Sequence, residues 1–124
     1  MNEGYPIHES ETGFFQELAR WYDVDFKQLS LLSINPDCSR GGHYHSYKRE
    51  WFCCVVGEGV LELRNVNTGE EESISLSISD RRFIEVNPYW KHTVVNKSGI
   101  FPLIVLIVID EEFDPENPDT YQIN

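Results

Sequence analysis

Gly41-Gly42-His43-Tyr44-His45-Ser46-Tyr47-Lys48-Arg49-Glu50-Trp51-Phe52-Cys53-Cys54-Val55-Val56-Gly57 is the stretch on which the fold turns. Successive side chains of a β-strand alternate faces, so His43 and His45 point the same way, and Glu50 can join them from the start of the apolar run that follows. A second segment, Arg82-Phe83-Ile84-Glu85-Val86-Asn87-Pro88-Tyr89-Trp90-Lys91-His92-Thr93-Val94-Val95-Asn96, brings His92 in similar strand-turn-strand surroundings. A lone histidine on a strand is most often an ordinary core or surface residue. Here three of the chain's four histidines and a carboxylate share two segments. Such a nitrogen and oxygen donor set suits one divalent metal ion and leaves positions open for water or substrate.

The rest of the chain reads as short strands from about residue 26 onward, rich in Val, Ile, Leu, Phe and Tyr. Turn signals separate them at 35–37, 40–42, 57–59, 67–70, 87–88 and 96–99. Ile74, Leu76 and Ile78 alternate with serines, the pattern of a half-buried strand. The runs 51–56 and 101–109 are apolar on both faces, which predicts a cover of another sheet, a tail or a second subunit, and hence a homodimer. After Ile109 the composition changes: six carboxylates and two prolines lie between Asp110 and Asp119. An extended acidic tail is expected over 110–124, docked by Phe113 and Tyr121, with an arm over 1–25 at the other end and a single domain over 1–124.

Composition narrows the function. Ten Lys and Arg against 21 Asp and Glu give a formal charge of -11, which disfavours nucleic acids and anionic membranes as partners. Three cysteines, two of them adjacent, make no disulfide framework and read as reduced thiols of a cytoplasmic protein. The polar N-terminus lacks an apolar signal core, and the run 101–109 is too short for a membrane helix.

The spacing HxH-x4-E-x6-G from His43 to Gly57, with H-x3-N from His92 to Asn96, resembles the two motifs of the cupin superfamily. That resemblance implies an all-β jelly-roll barrel with little helix, and His43, His45, Glu50 and His92 on one metal ion, zinc first and otherwise iron, manganese, nickel or cobalt. The second motif departs from the pattern: Pro88 lies four residues before His92, and Tyr89 stands where a glycine is usual.

A narrower resemblance rests on residues 11–20, 39–45, 57–70 and 110–121. These look like the C-terminal cupin half of a bifunctional capsular-polysaccharide enzyme acting on UDP-2-acetamido-2,6-dideoxy-hexos-4-uloses. In that enzyme the cupin half epimerises and the other half reduces, which implies a separate reductase as partner here. Arg40-Gly41-Gly42-His43 and Gly13-Phe14-Phe15-Gln16-Glu17 also look like dTDP-4-keto-6-deoxyglucose 3,5-epimerases and related ketoisomerases. Thr12 stands where those enzymes carry a phosphate-contacting arginine, so that contact does not transfer.

The chemistry so implied removes a C–H proton beside a ketone and returns it to the other face through an enediolate. A metal would stabilise the developing oxyanion and a nearby base would take the proton. Resemblance to the metal-free epimerases makes His43 the base, which conflicts with His43 as a ligand; Glu17, Tyr44, Lys48 and Tyr121 are the other candidates. Arg40, Arg49, Arg82, Trp90 and Lys91 are candidate contacts for a nucleotide-sugar substrate, since six of the ten basic residues lie in or beside the two motif segments. A non-haem iron dioxygenase and a non-catalytic sugar- or metal-binding cupin are the competing readings.

Overall fold

The computed structural model describes residues 4–122, which form strands and no helix. In chain order these are β1 (Ile7–Ser10), β2 (Gly13–Gln16), β3 (Gln28–Ile34), β4 (Ser39–Tyr44), β5 (Glu50–Val56), β6 (Glu58–Asn65), β7 (Glu71–Ser77), β8 (Ile84–Val86), β9 (Trp90–Asn96), β10 (Leu103–Ile109) and β11 (Tyr121–Gln122). β1 and β2 pair as a hairpin. The remainder make two antiparallel sheets, β3-β10-β5-β8 and β11-β4-β9-β6-β7. This is the jelly-roll barrel that the cupin resemblance implies, with strands that are distant in sequence lying side by side.

The barrel core is built from alternate residues of both sheets: Ile34, Phe52, Cys54, Leu61, Val94 and Val105 among them are fully buried. Burying each large aliphatic or aromatic side chain of this kind contributes about 1.5–3 kcal/mol. Asn96 is a buried polar residue beside this core. Its amide donates to the carbonyls of Ile34 and Phe101, and its oxygen accepts from the Ser98 N–H, so it ties the end of β9 to the facing sheet and to the next loop.

A second cluster explains the doubly apolar strands. Trp51, Cys53 and Val108 project from the outer face of β5 and β10 and pack with Val24, Phe83, Leu18 and Ala19. The cover is therefore the chain's own N-terminal arm with Phe83, and this face leaves no need for a second subunit.

Two backbone devices place the histidines. β4 runs antiparallel to β9 with a bulge between Gly41 and His43, after which His43 stands directly opposite His92. Gly41 has φ +112, and a Cβ there would lie 2.6 Å from the His92 carbonyl oxygen, a contact only glycine avoids. On the other side, Tyr89 adopts the left-handed region at φ 67, taking the backbone shape that a glycine would supply in the usual motif. Its N–H donates to the His45 carbonyl and its carbonyl accepts from the Val66 N–H, so the turn before β9 is anchored to the HxH segment.

Gly41→Ala should lower unfolding free energy by about 2–3 kcal/mol in urea titrations, combining a disfavoured φ with the clash. Gly42→Ala, at φ +79 with open space around the new methyl, should cost only about 1–2 kcal/mol. Equal losses would show that the close approach of Gly41 to β9 is not what fixes the register.

Candidate functional site

His43, His45 and His92 offer ring nitrogens that all lie within 4.8 Å of one another. Strand alternation puts them there: His92, Val94 and Asn96 form the buried side of β9, and the bulge aligns His43 with His92. Ring centroids are 4.7 Å apart for His43 and His92, and 5.3 Å for each of the other two pairs. Glu50, buried at the head of β5, completes the group. Its Oε1 lies 2.8 Å from His45 Nε2 and 3.2 Å from His92 Nε2.

The opposite nitrogens of two rings are held by backbone. His45 Nδ1 is 2.6 Å from the Asp119 carbonyl and His92 Nδ1 is 3.2 Å from the Trp90 carbonyl. A carbonyl only accepts, so each Nδ1 carries a proton and each ring turns Nε2 toward Glu50. This is the outer support that metal-ligating histidines have, and the donor set of three imidazoles and a carboxylate fits a divalent ion.

The electrostatics follow from burial and proximity. Burial, then the neighbouring His92 and His45, push the His43 imidazole down to about 4 against the pull of Glu50, leaving it neutral at ordinary pH. Burial disfavours the charged form of Glu50, yet hydrogen bonds from His45 and His92 outweigh it and hold the carboxyl down at about 2. For His45, burial is likewise overcome by Glu50, and its pKa is raised. Each partner thus favours the charged form of the other.

A cavity of about 350 Å³ opens over this cluster, lined by His43, Glu50 and His92 with Leu32, Phe52, Val94 and Ile107, and by Arg40 and Gln122. Its size is in the range of small-molecule sites. Arg40 is the basic residue among these lining groups.

The other residues singled out from sequence lie elsewhere. Tyr44 alternates to the outer face of β4, where its ring stacks on Tyr121 at 5.4 Å and lies 6.1 Å from Tyr89. Lys48 is buried, with Nζ donating to the Pro118 carbonyl and lying 5.6 Å from the centre of the Phe113 ring. Glu17 pairs with Arg20. Arg49 bridges Asp25, Asp110 and Glu85 and covers Trp51. Arg82 is held by Asp80, and Lys91 lies in a groove on the outer face beside Arg64, Glu71 and Glu72. Trp90 packs against the barrel core and contributes only its carbonyl.

Sequence reasoning missed Asp119 and Gln122. The first was hidden in an acidic tail of apparent solvent-facing residues; its position between Pro118 and Thr120, where a carboxylate caps a turn well, was the available signal.

Comparison with known proteins converges on one family. Residues 8–121 match the family described as polysaccharide biosynthesis C-terminal domain. The chain is 34% identical over 116 residues to the UDP-2-acetamido-2,6-beta-L-arabino-hexul-4-ose reductase of Pseudomonas aeruginosa, covering 94% of this chain but 30% of that protein. The capsular polysaccharide assembling protein CapF of Staphylococcus aureus superposes with a TM-score of 0.75 at 29% identity, over 81% of this chain and 27% of CapF. The chain thus spans about a third or less of the length of these relatives. The dTDP-6-deoxy-D-glucose-3,5-epimerase RmlC of Legionella pneumophila shares the fold at a TM-score of 0.80 and 18% identity, over 98% of this chain and 70% of that one. The barrel is a cupin, and the chain belongs to the polysaccharide biosynthesis C-terminal domain family.

Proposed function

We propose that this chain is a metal-dependent nucleotide-sugar epimerase or isomerase of cell-surface polysaccharide biosynthesis, acting in the cytoplasm on a 4-keto-6-deoxyhexose. The observation that carries the reading is the convergence of His43, His45, Glu50 and His92, of which His43, Glu50 and His92 line a cavity together with Arg40. In this reading the proton leaves the carbon beside the ketone, its bonding electrons move onto the carbonyl oxygen as an enediolate, and a proton returns to the other face. No oxidant is consumed.

His43, His45, Glu50 and His92 would hold the divalent ion, zinc first, which would supply Lewis-acid stabilisation of the developing negative charge. Leu32, Phe52, Val94 and Ile107 wall the cavity with apolar surface, which excludes water and strengthens each electrostatic contact inside. Arg40 is the group placed to draw in a diphosphate. Arg49, Arg82, Trp90 and Lys91 play no part in this proposal, because carboxylate pairing, packing or the outer sheet face occupies them.

A second role for His43 is favoured by one observation. Glu17, Tyr44, Lys48 and Tyr121 do not line the cavity, so the proton acceptors there belong to the cluster itself. Of these, His43 lines the cavity and is only half-buried, whereas the Glu50 Oε1 is held by His45 and His92. His43 then takes the proton, and His45, Glu50 and His92 hold the ion.

The reading extends to a homodimer, with a separate reductase consuming the epimerised ketone. β3 is a sheet edge with Leu29 and Leu31 exposed on it, a surface that a second copy would cover.

Incubation with UDP- and dTDP-linked 4-keto-6-deoxy sugars in D₂O should place deuterium beside the ketone, at a rate that follows metal content. Oxygen consumption without deuterium uptake would put a dioxygenase in its place, and binding without either would leave a non-catalytic module. His43→Gln should slow exchange at least about 100-fold. Retained metal in that variant assigns His43 as the base, whereas parallel loss of metal assigns it as a ligand. Light scattering should give the mass of two chains, reduced to one by Leu31→Glu; a monomeric parent protein would remove the dimer from the proposal.

A further inference from the structure

The acidic tail does more than cover the barrel. Asp119 is 2% exposed in a segment otherwise facing solvent, and it takes the left-handed φ of 49. A buried carboxylate in strained backbone persists only where surrounding contacts hold it. Here its oxygens accept from the backbone N–H groups of Ser46, Tyr47 and Lys48, at 2.9, 3.0 and 3.1 Å, and from the Ser46 hydroxyl. These residues form the connection between His45 and Glu50, which has no strand partner of its own.

The same residue also acts through its backbone, since its carbonyl receives the His45 Nδ1–H at 2.6 Å. On one side, the Lys48 ammonium donates to the Pro118 carbonyl. On the other, β11 pairs with the end of β4, setting Tyr121 opposite Tyr44 and Gln122 opposite His43. Five consecutive residues, 118–122, thus grip both the histidine strand and the loop leading to Glu50.

We propose that Asp119 is the positioning residue of the histidine cluster. Its carbonyl fixes the His45 tautomer and ring plane, and its carboxylate holds the 46–48 loop so that His45 and Glu50 meet. This rests on the reading of the cluster as the reactive centre. Asp119 touches neither substrate nor ion; it acts on both through His45.

The test compares Asp119→Ala and Asp119→Asn with Glu116→Gln, which removes one exposed charge from the same tail. Zinc affinity is measured by chelator competition, and the His45 ring N–H by its downfield proton resonance, with and without zinc. The parent protein and Glu116→Gln should show a slowly exchanging His45 N–H. Asp119→Ala keeps the carbonyl but releases the 46–48 loop and the turn that aim it, so the His45 N–H should exchange rapidly and zinc should bind about 10–100-fold more weakly, the range for removing a group that orients a ligand. Asp119→Asn, which keeps one acceptor oxygen, should fall between and serves if the alanine variant does not fold. A sharp His45 N–H and zinc affinity within twofold of the parent in the aspartate variants, whatever their melting temperature, would make Asp119 a fastening of the tail only and overturn the proposal. If the parent binds no zinc, the metal reading fails, while the resonance still decides whether Asp119 orients His45.

Discussion

Everything in this barrel is arranged around one buried carboxylate. Glu50 sits among apolar residues at the head of β5, where an unpaired charge would cost several kcal/mol, and it survives there because two imidazoles face it. Those imidazoles must come from different strands, and their other nitrogens must have acceptors. β4 supplies His45 only if the tail supplies a carbonyl, and β9 supplies His92 with the Trp90 carbonyl already beside it. The glycine bulge, the strained Tyr89 and the buried Asp119 are the consequences of meeting these demands in one small space.

The metal-ligand candidates were legible because they obey the simplest rule of strand geometry. His43 and His45 share a face by their spacing of two, and His92 announces itself through a repeat of the same surroundings. The rule also applied to Tyr44, which by the same alternation had to face away from the histidines, and does. Lys48 and Arg49 follow a different logic: both lie within the motif segment, but a buried ammonium needs a carbonyl and an outer guanidinium finds carboxylates, so pairing overrode proximity in sequence.

What the sequence concealed was the partner of each apolar face. Strand β5 is apolar on both sides whether an arm or another subunit covers it, and composition alone does not distinguish them. The arm that does so carries only Leu18, Ala19 and Val24 into the contact, too few for a recognisable period. The tail was hidden for the opposite reason. Its charges suggest solvent, and the one carboxylate turned inward is indistinguishable by type from the five that are not.

The hydrogen bond from His45 to Asp119 spans 74 positions of the chain, and the pair His43 and His92 faces across 49 more modest ones that still enclose four strands. Contacts of such separation cost more loop-closure entropy than local ones, and the pairing of Gln28 with Ile109 in the core sheet is longer still. The final segment belongs to the same long-range closure as the barrel, and it supplies the carbonyl partner of the His45 ring. The apolar core packs without any residue of 118–122, so whatever loosens that segment frees the His45 ring while leaving the barrel closed.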